Sequence, residues 1–240
     1  MNTPKQILKA AAATAVLGLI SAGPAQAYSF NNSGISFDKD TTVKFDFLES
    51  HNWFQSSFGV KNTVTGEETL LINEIMNRDA GSGKYINDEL GTCGESVLDC
   101  SVKFTFEAET DYEFFITRVN PDTEVASKPL SSNTHAKFLQ GTSVLEDLRY
   151  QKYQTSPISD LSTTAGIQNA DVFAGPVLIG FDDEFKLDDV ASHVDYNDFL
   201  VTAIAVPEPA TLVGLGLVAG SMALSRRRKN KQTSKSKISK

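Results

Sequence analysis

Two segments of this chain place an apolar residue at every second position, Val43-Lys-Phe-Asp-Phe47 and Val102-Lys-Phe-Thr-Phe106. Successive side chains of a strand point to opposite faces, so this spacing lays one apolar row against a core and one polar row toward water; a helix would scatter the same residues around its circumference. Short aromatic or β-branched runs extend the pattern: Trp53 to Lys61, Thr69 to Ile75, Tyr112 to Val119, Val177 to Phe181 and Phe199 to Ala205. Between them stand turn formers, as in Asn32-Ser-Gly34, Thr65-Gly66, Asp79 to Gly83, Asn120-Pro-Asp122 and Ser131-Ser-Asn133. Many short strands at this spacing predict a mostly β domain, an antiparallel β-sandwich of jelly-roll-like form. A helix is expected around Ser143 to Tyr153, where Leu145 and Leu148 share a face, followed by a long loop from Thr155 to Asp171.

Charge divides the chain into three. Of 22 basic residues, two precede residue 28 and eight follow residue 206, against one of the 30 acids, so the interval 28–206 holds 12 basic and 29 acidic residues and a formal charge of −17. Such a surface repels a phosphate backbone, and nucleic acid is excluded as a partner. The basic flanks carry the longest apolar runs. Residues 1–27 have the layout of a secretory signal peptide: Lys5 and Lys9, the apolar stretch Ala10 to Ile20, and the small-x-small cleavage site Ala25-Gln26-Ala27. At the other end, Pro207-Glu208-Pro209 leads into a Gly-containing apolar run, expected as a membrane helix over residues 211–224, and then Arg226-Arg227-Arg228-Lys229. The basic stop predicts a cytoplasmic tail over 230–240, with the preceding domain, 28–205, on the far side of the membrane.

Taken together, Pro-Glu-Pro, the short helix and the Arg cluster over 206–229 resemble the PEP-CTERM sorting signal of bacterial exported proteins. The resemblance implies an exosortase-type processing protease as partner, and Pro207, Glu208, Pro209, Arg226, Arg227 and Arg228 as the sorting residues. It also implies a transient stay in the inner membrane and delivery to the cell surface or the extracellular polymer matrix. A permanent single-span anchor is the alternative; the apolar run is short for one.

Cys93 and Cys100 are the only cysteines. In an exported chain such a pair predicts a disulfide, here a local hairpin staple, rather than a zinc site, which would need two further ligands that the scattered His51, His135 and His193 do not supply. The segment from Gly180 to Val201 holds seven carboxylates in 22 residues, with Lys186 the only neutralising neighbour. Crowded carboxylates repel unless solvent, a basic side chain or a cation compensates, and hard oxygen donors are what calcium takes. Asp182, Asp183, Asp195, Asn197 and Asp198 are therefore candidate calcium ligands; the alternative is a solvated acidic loop whose Asp and Asn side chains cap turns. Gly180-Phe-Asp-Asp183 with Asp195-Tyr-Asn-Asp-Phe199 also resembles an acidic signature seen near the C-terminus of exported sandwich domains, with Asp182 in place of its first Glu.

No Gly-x-Ser-x-Gly elbow and no His-Glu-x-x-His occurs, and Gly81-Ser-Gly-Lys84 lacks the rest of a phosphate loop. The expectation is a non-enzymatic exported protein of the cell surface or matrix. The alternative is a calcium-dependent carbohydrate-binding module for extracellular polysaccharide, to which Trp53, with Phe54, Phe58 and His51, would offer an aromatic platform. A surface hydrolase stands third.

Overall fold

The computed structural model describes residues 28–79, 90–120, 122–141, 161–162, 164–183 and 194–207. The signal peptide, the helix expected at 143–153, Gly81 to Lys84, the membrane helix at 211–224 and the arginine cluster lie outside them. Among the described residues no helix is long and apolar enough to cross a membrane.

Twelve strands and one short helix make up the described chain. Tyr28–Asn31 (β1) and Gly34–Phe37 (β2) form a hairpin. Thr41–His51 (β3), Gln55–Asn62 (β4) and Glu68–Asn73 (β5) follow. Then come Leu90–Thr92 (β6), Ser101–Phe106 (β7) and Tyr112–Val119 (β8). Leu130–Ser131 (β9) leads into the one-turn helix Ser132–His135 (α1), which Ser131 caps through its hydroxyl. Ala136–Gln140 (β10), Val177–Phe181 (β11) and Phe199–Ala205 (β12) complete the set.

All strand pairs are antiparallel, and they form two six-stranded sheets. One runs β1-β2-β8-β4-β5, with β9 on β8; the other runs β10-β11-β12-β3, with β6 and β7 both on the remaining edge of β3. Alternation explains the layering. Along β3, Val43, Phe45 and Phe47 turn inward while Lys44 and Asp46 turn out and pair at 2.7 Å. Among the described residues eleven phenylalanines are buried, and their rings tie the sheets together. Phe45 of β3 meets Phe58 of β4 and Phe114 of β8 at 5.5 Å each, and Phe58 meets Phe181 of β11 at 5.9 Å. Tilted and edge-on contacts of this kind suit the ring quadrupole, and each fully buried ring contributes about 2–3 kcal/mol by removal from water. The result is a mostly β, sandwich-like pair of sheets around a main core, with a second, smaller apolar cluster of Leu139, Leu161, Leu178 and Leu200.

The expected runs at 42–47, 102–106, 112–119, 177–181 and 199–205 all lie within strands. β4 starts at Gln55 rather than Trp53, which sits in a bend. A bulge at Phe58/Gly59 sets the register of β4 on β5; a β-carbon at Gly59 would stand 2.5 Å from the Phe115 ring and 2.8 Å from the Thr69 carbonyl oxygen.

Cys93 and Cys100 form the disulfide, with α-carbons 5.7 Å apart. They do not staple a hairpin. Glu49 pairs with Thr92 and Asp46 with Ser101, so β6 and β7 run in tandem along one edge of β3. The bond closes an excursion within what is otherwise a single line of pairing, and that excursion delivers Val97 into the core.

Candidate functional site

The β11–β12 hairpin builds the acidic site by register alone. Gly180 faces Leu200 and Phe181 faces Phe199, so the next position outward sets Asp182 beside Asp198. The backbone N–H of Asp183 donates to Asp198 Oδ2 at 2.6 Å, and the N–H of Asp182 donates to the His135 carbonyl at 2.9 Å. Returning toward β12, Tyr196 takes a left-handed conformation with φ of 58°, turning the chain so that Asp195 and Asn197 flank it. Its carbonyl lies so close to β11 that a β-carbon at 180 would collide with it, which is why glycine stands there.

Three other parts of the fold hold this loop. Leu161 N–H donates to the Asp195 carbonyl at 2.7 Å. The Asp198 carbonyl accepts from His51 N–H at 3.2 Å and from Asn52 Nδ2 at 2.8 Å. Lys137 Nζ sits 4.8 Å from the Tyr196 ring centre and donates to the Leu161 and Ser162 carbonyls at 2.8 Å each.

One carboxylate oxygen from each of Asp182, Asp195 and Asp198 lies within 4.8 Å of the others. Asp183 and Asn197 are buried alongside. Burial pushes the Asp198 carboxyl well above the usual range, and the nearby Asp183, Asp195 and Asp182 push it further; the Asp183 N–H works in the other direction. Asp182, Asp183, Asp195 and Asp198 are thus brought together, and Asn197 is buried next to Asp198 in the chain. Glu184, Lys186, Asp188 and Asp189 lie outside the described residues. Hard oxygens converging at this separation could hold a divalent cation rather than a soft metal.

Behind the site is a second acid group that the sequence pattern does not reveal. Glu74, just past β5, takes a hydrogen bond from the Ser50 hydroxyl on Oε1 and from Ser56 N–H on Oε2 at 2.6 Å. Burial raises its carboxyl to about 8; the two hydrogen bonds oppose this, while Asp183 and Asp79 add to it. Buried Glu49 and His51 pair at 3.0 Å, and Asp79 gathers the Thr92 N–H, the Thr92 hydroxyl and the Ser96 hydroxyl at 2.6–2.9 Å. A signal for two of these was present: continuing the inward row 43, 45, 47 reaches Glu49 and His51. The expected aromatic platform does not assemble, because Phe58 is core, His51 is buried on Glu49, and Arg118 lies over the Phe54 ring at 4.9 Å. Trp53 is half-buried, its carbonyl accepting from Asn77 Nδ2 at 3.0 Å.

At the far end of β12, the N–H of Val206 donates to the Thr42 carbonyl at 2.8 Å, the last bond before Pro207. Proline has no N–H, so the ladder stops there. Residues 205–229, from this exit onward, match the family model of the PEP-CTERM protein-sorting motif. The chain carries a PEP-CTERM sorting motif. The motif indicates an exported protein sorted by an exosortase and anchored transiently in the membrane. Glu208, Pro209 and Arg226 to Arg228 lie outside the described residues. No curated protein and no solved structure matches the chain.

Proposed function

We propose that this chain is a non-enzymatic protein, cut near Pro207-Glu208-Pro209 and released to the cell surface or extracellular polymer, where its acidic loop binds calcium. The observation that carries the cation reading is the convergence of Asp182, Asp195 and Asp198, with one oxygen from each inside 4.8 Å. Asp182, Asp183 and Asp195 raise the cost of ionising Asp198, and a bound dication would convert that repulsion into attraction. Asn197 and backbone carbonyls would complete an oxygen shell of the size calcium takes. Support for release comes from the exit of the chain. β12 ends at Ala205 between β11 and β3, so a cut after Val206 leaves every described strand in place.

Mass spectrometry of the native protein's termini, together with cell fractionation, tests the address: the expected product begins near Tyr28, ends near Pro207 and leaves the membrane fraction. Retention of an intact tail would sink the release. Isothermal titration with calcium tests the cation, and absence of binding at millimolar calcium would remove it.

A further inference from the structure

At the end of the sheets opposite the acidic loop, a cavity of about 310 Å³ opens between the β4–β5 hairpin and the C-terminal half of β7. It exists because β5 ends one sheet and β7 lies on the outer edge of the other, so nothing hydrogen-bonds across the gap between them. Val60, Phe104 and Tyr112 give it an apolar and aromatic wall, while Glu67, Glu107 and Asn62 join three threonines around it. No Lys, Arg or His is among its lining residues.

Its polar groups are set for a ligand. Asn62 Oδ1 accepts from the N–H groups of Val64 and Thr65 at 2.9 and 3.0 Å, which fixes the amide and leaves its NH₂ to donate. The Tyr112 oxygen accepts from Glu107 N–H at 3.4 Å, so its own proton is available. Glu67 and Glu107 are exposed and bring only acceptors. This combination selects by chemistry. An anionic ligand meets two carboxylates and no cation. A purely apolar one strands the amide and the carboxylates. A pyranose fits: its C–H face covers aromatic surface while its ring hydroxyls donate to carboxylates and accept from the amide and phenol. The volume lies at the lower end of small-ligand pockets, enough for one or two sugar units.

We propose that this cavity binds a non-anionic pyranoside, a unit of a neutral or amino-sugar glycan, without calcium. Val43 on β3 pairs with Phe104, and His51, eight residues along the same strand, touches Asp198, so the cavity and the acidic loop stand about 26 Å apart at ~3.3 Å per residue. The cation reading can therefore fail without touching this one.

The test is calorimetric titration of the full chain in a polyoxyethylene detergent, which has no sugar headgroup to compete. The probes are the methyl glycosides of glucose, galactose, mannose and glucosamine, each in EDTA and in calcium, with glucuronate as the anionic control and ethanolamine as a plain cation. At least one glycoside is expected to bind with Kd of about 1 mM, as suits a ligand of this size. That affinity should be equal in EDTA, fall at least tenfold in Glu107→Gln and vanish in Thr69→Trp, which fills the cavity from β5. If Thr69→Trp does not fold, saturation-transfer NMR on the unaltered chain decides the same question. The proposal is overturned by no glycoside binding, by binding that survives both substitutions, by loss in EDTA, or by glucuronate or ethanolamine binding as tightly as the glycosides.

Discussion

Glu74, buried, and Asp198, half-buried, are acids at the same end of the two sheets, and their surroundings differ in kind. Each oxygen of Glu74 has its own donor, from Ser50 and from the Ser56 N–H, supplied by strands of both sheets. Asp198 receives one N–H, from Asp183, and otherwise faces Asp182, Asp183 and Asp195. Both carboxyls are raised, but Glu74 mainly by burial and Asp198 by burial together with three like charges. The first arrangement is complete within the chain and acts as a buried strut. The second sets like charges against one another, and on the proposed function a cation would balance them. Burial of an acid alone does not mark a site; the identity of its neighbours does.

That contrast can be broken by experiment. The largest effect is expected from Glu74→Ala, which orphans two buried donors and leaves a cavity. Chemical unfolding should show a loss of about 2–5 kcal/mol with or without calcium. A loss that calcium restores would make Glu74 part of the cation site.

Next in size, calcium at about 100 times Kd should stabilise the protein by roughly 2.7 kcal/mol. Asp198→Asn should abolish this shift in thermal unfolding, while Glu74→Gln keeps it. Equal loss in both variants would erase the distinction between strut and site.

A smaller effect comes from pH, measured in EDTA. Glu74 is raised from about 4.5 to about 8, so folding favours its protonated form. Its stabilisation is fully present below pH 4.5 and is lost as pH rises through 8, which predicts a decline of roughly 2 kcal/mol between pH 5 and 7. Glu74→Gln should reduce that slope and leave the part that Asp198 contributes. An unchanged slope would place the titration elsewhere.

The smallest change is expected from Lys137→Ala. It removes the contact over Tyr196 and two hydrogen bonds to carbonyls that brace the loop, so about 1 kcal/mol of stability and a few-fold in calcium affinity should go. Affinity unchanged within error would mean that the loop needs no brace from β10.

Much of the fold and of the acidic site is legible in the sequence, for local reasons. Alternation at 43–47 and 102–106 marks β3 and β7, and crowding marks five carboxyl and amide side chains of one acidic segment. Other features escape because their signal is not local. Tyr28-Ser-Phe30 and Ile35-Ser-Phe37 do alternate, but in runs of three, too short to separate from turns until they pair with each other. Ser131 to Asn133 looks like a turn and is a capped helical turn, since the same Ser side chain serves both. The disulfide is expected from the sequence but its setting is not: nothing in the spacing of Cys93 and Cys100 says that the strands they join lie in line along β3 rather than side by side.

By itself, then, the sequence determined the β periodicity, the acidity of the interval 28–206, the cysteine pair and the sorting motif, because each is written in neighbouring residues. Only the tertiary structure decided that Glu74 lies against Ser50 and Ser56, that Asp182 stands beside Asp198, and that a cavity opens between β5 and β7. Those contacts join residues far apart along the chain, and strand pairing, register and the meeting of two sheet edges create them. Local pattern carries the tendency to form a strand; which strand lies beside it is settled by the core that all of them share.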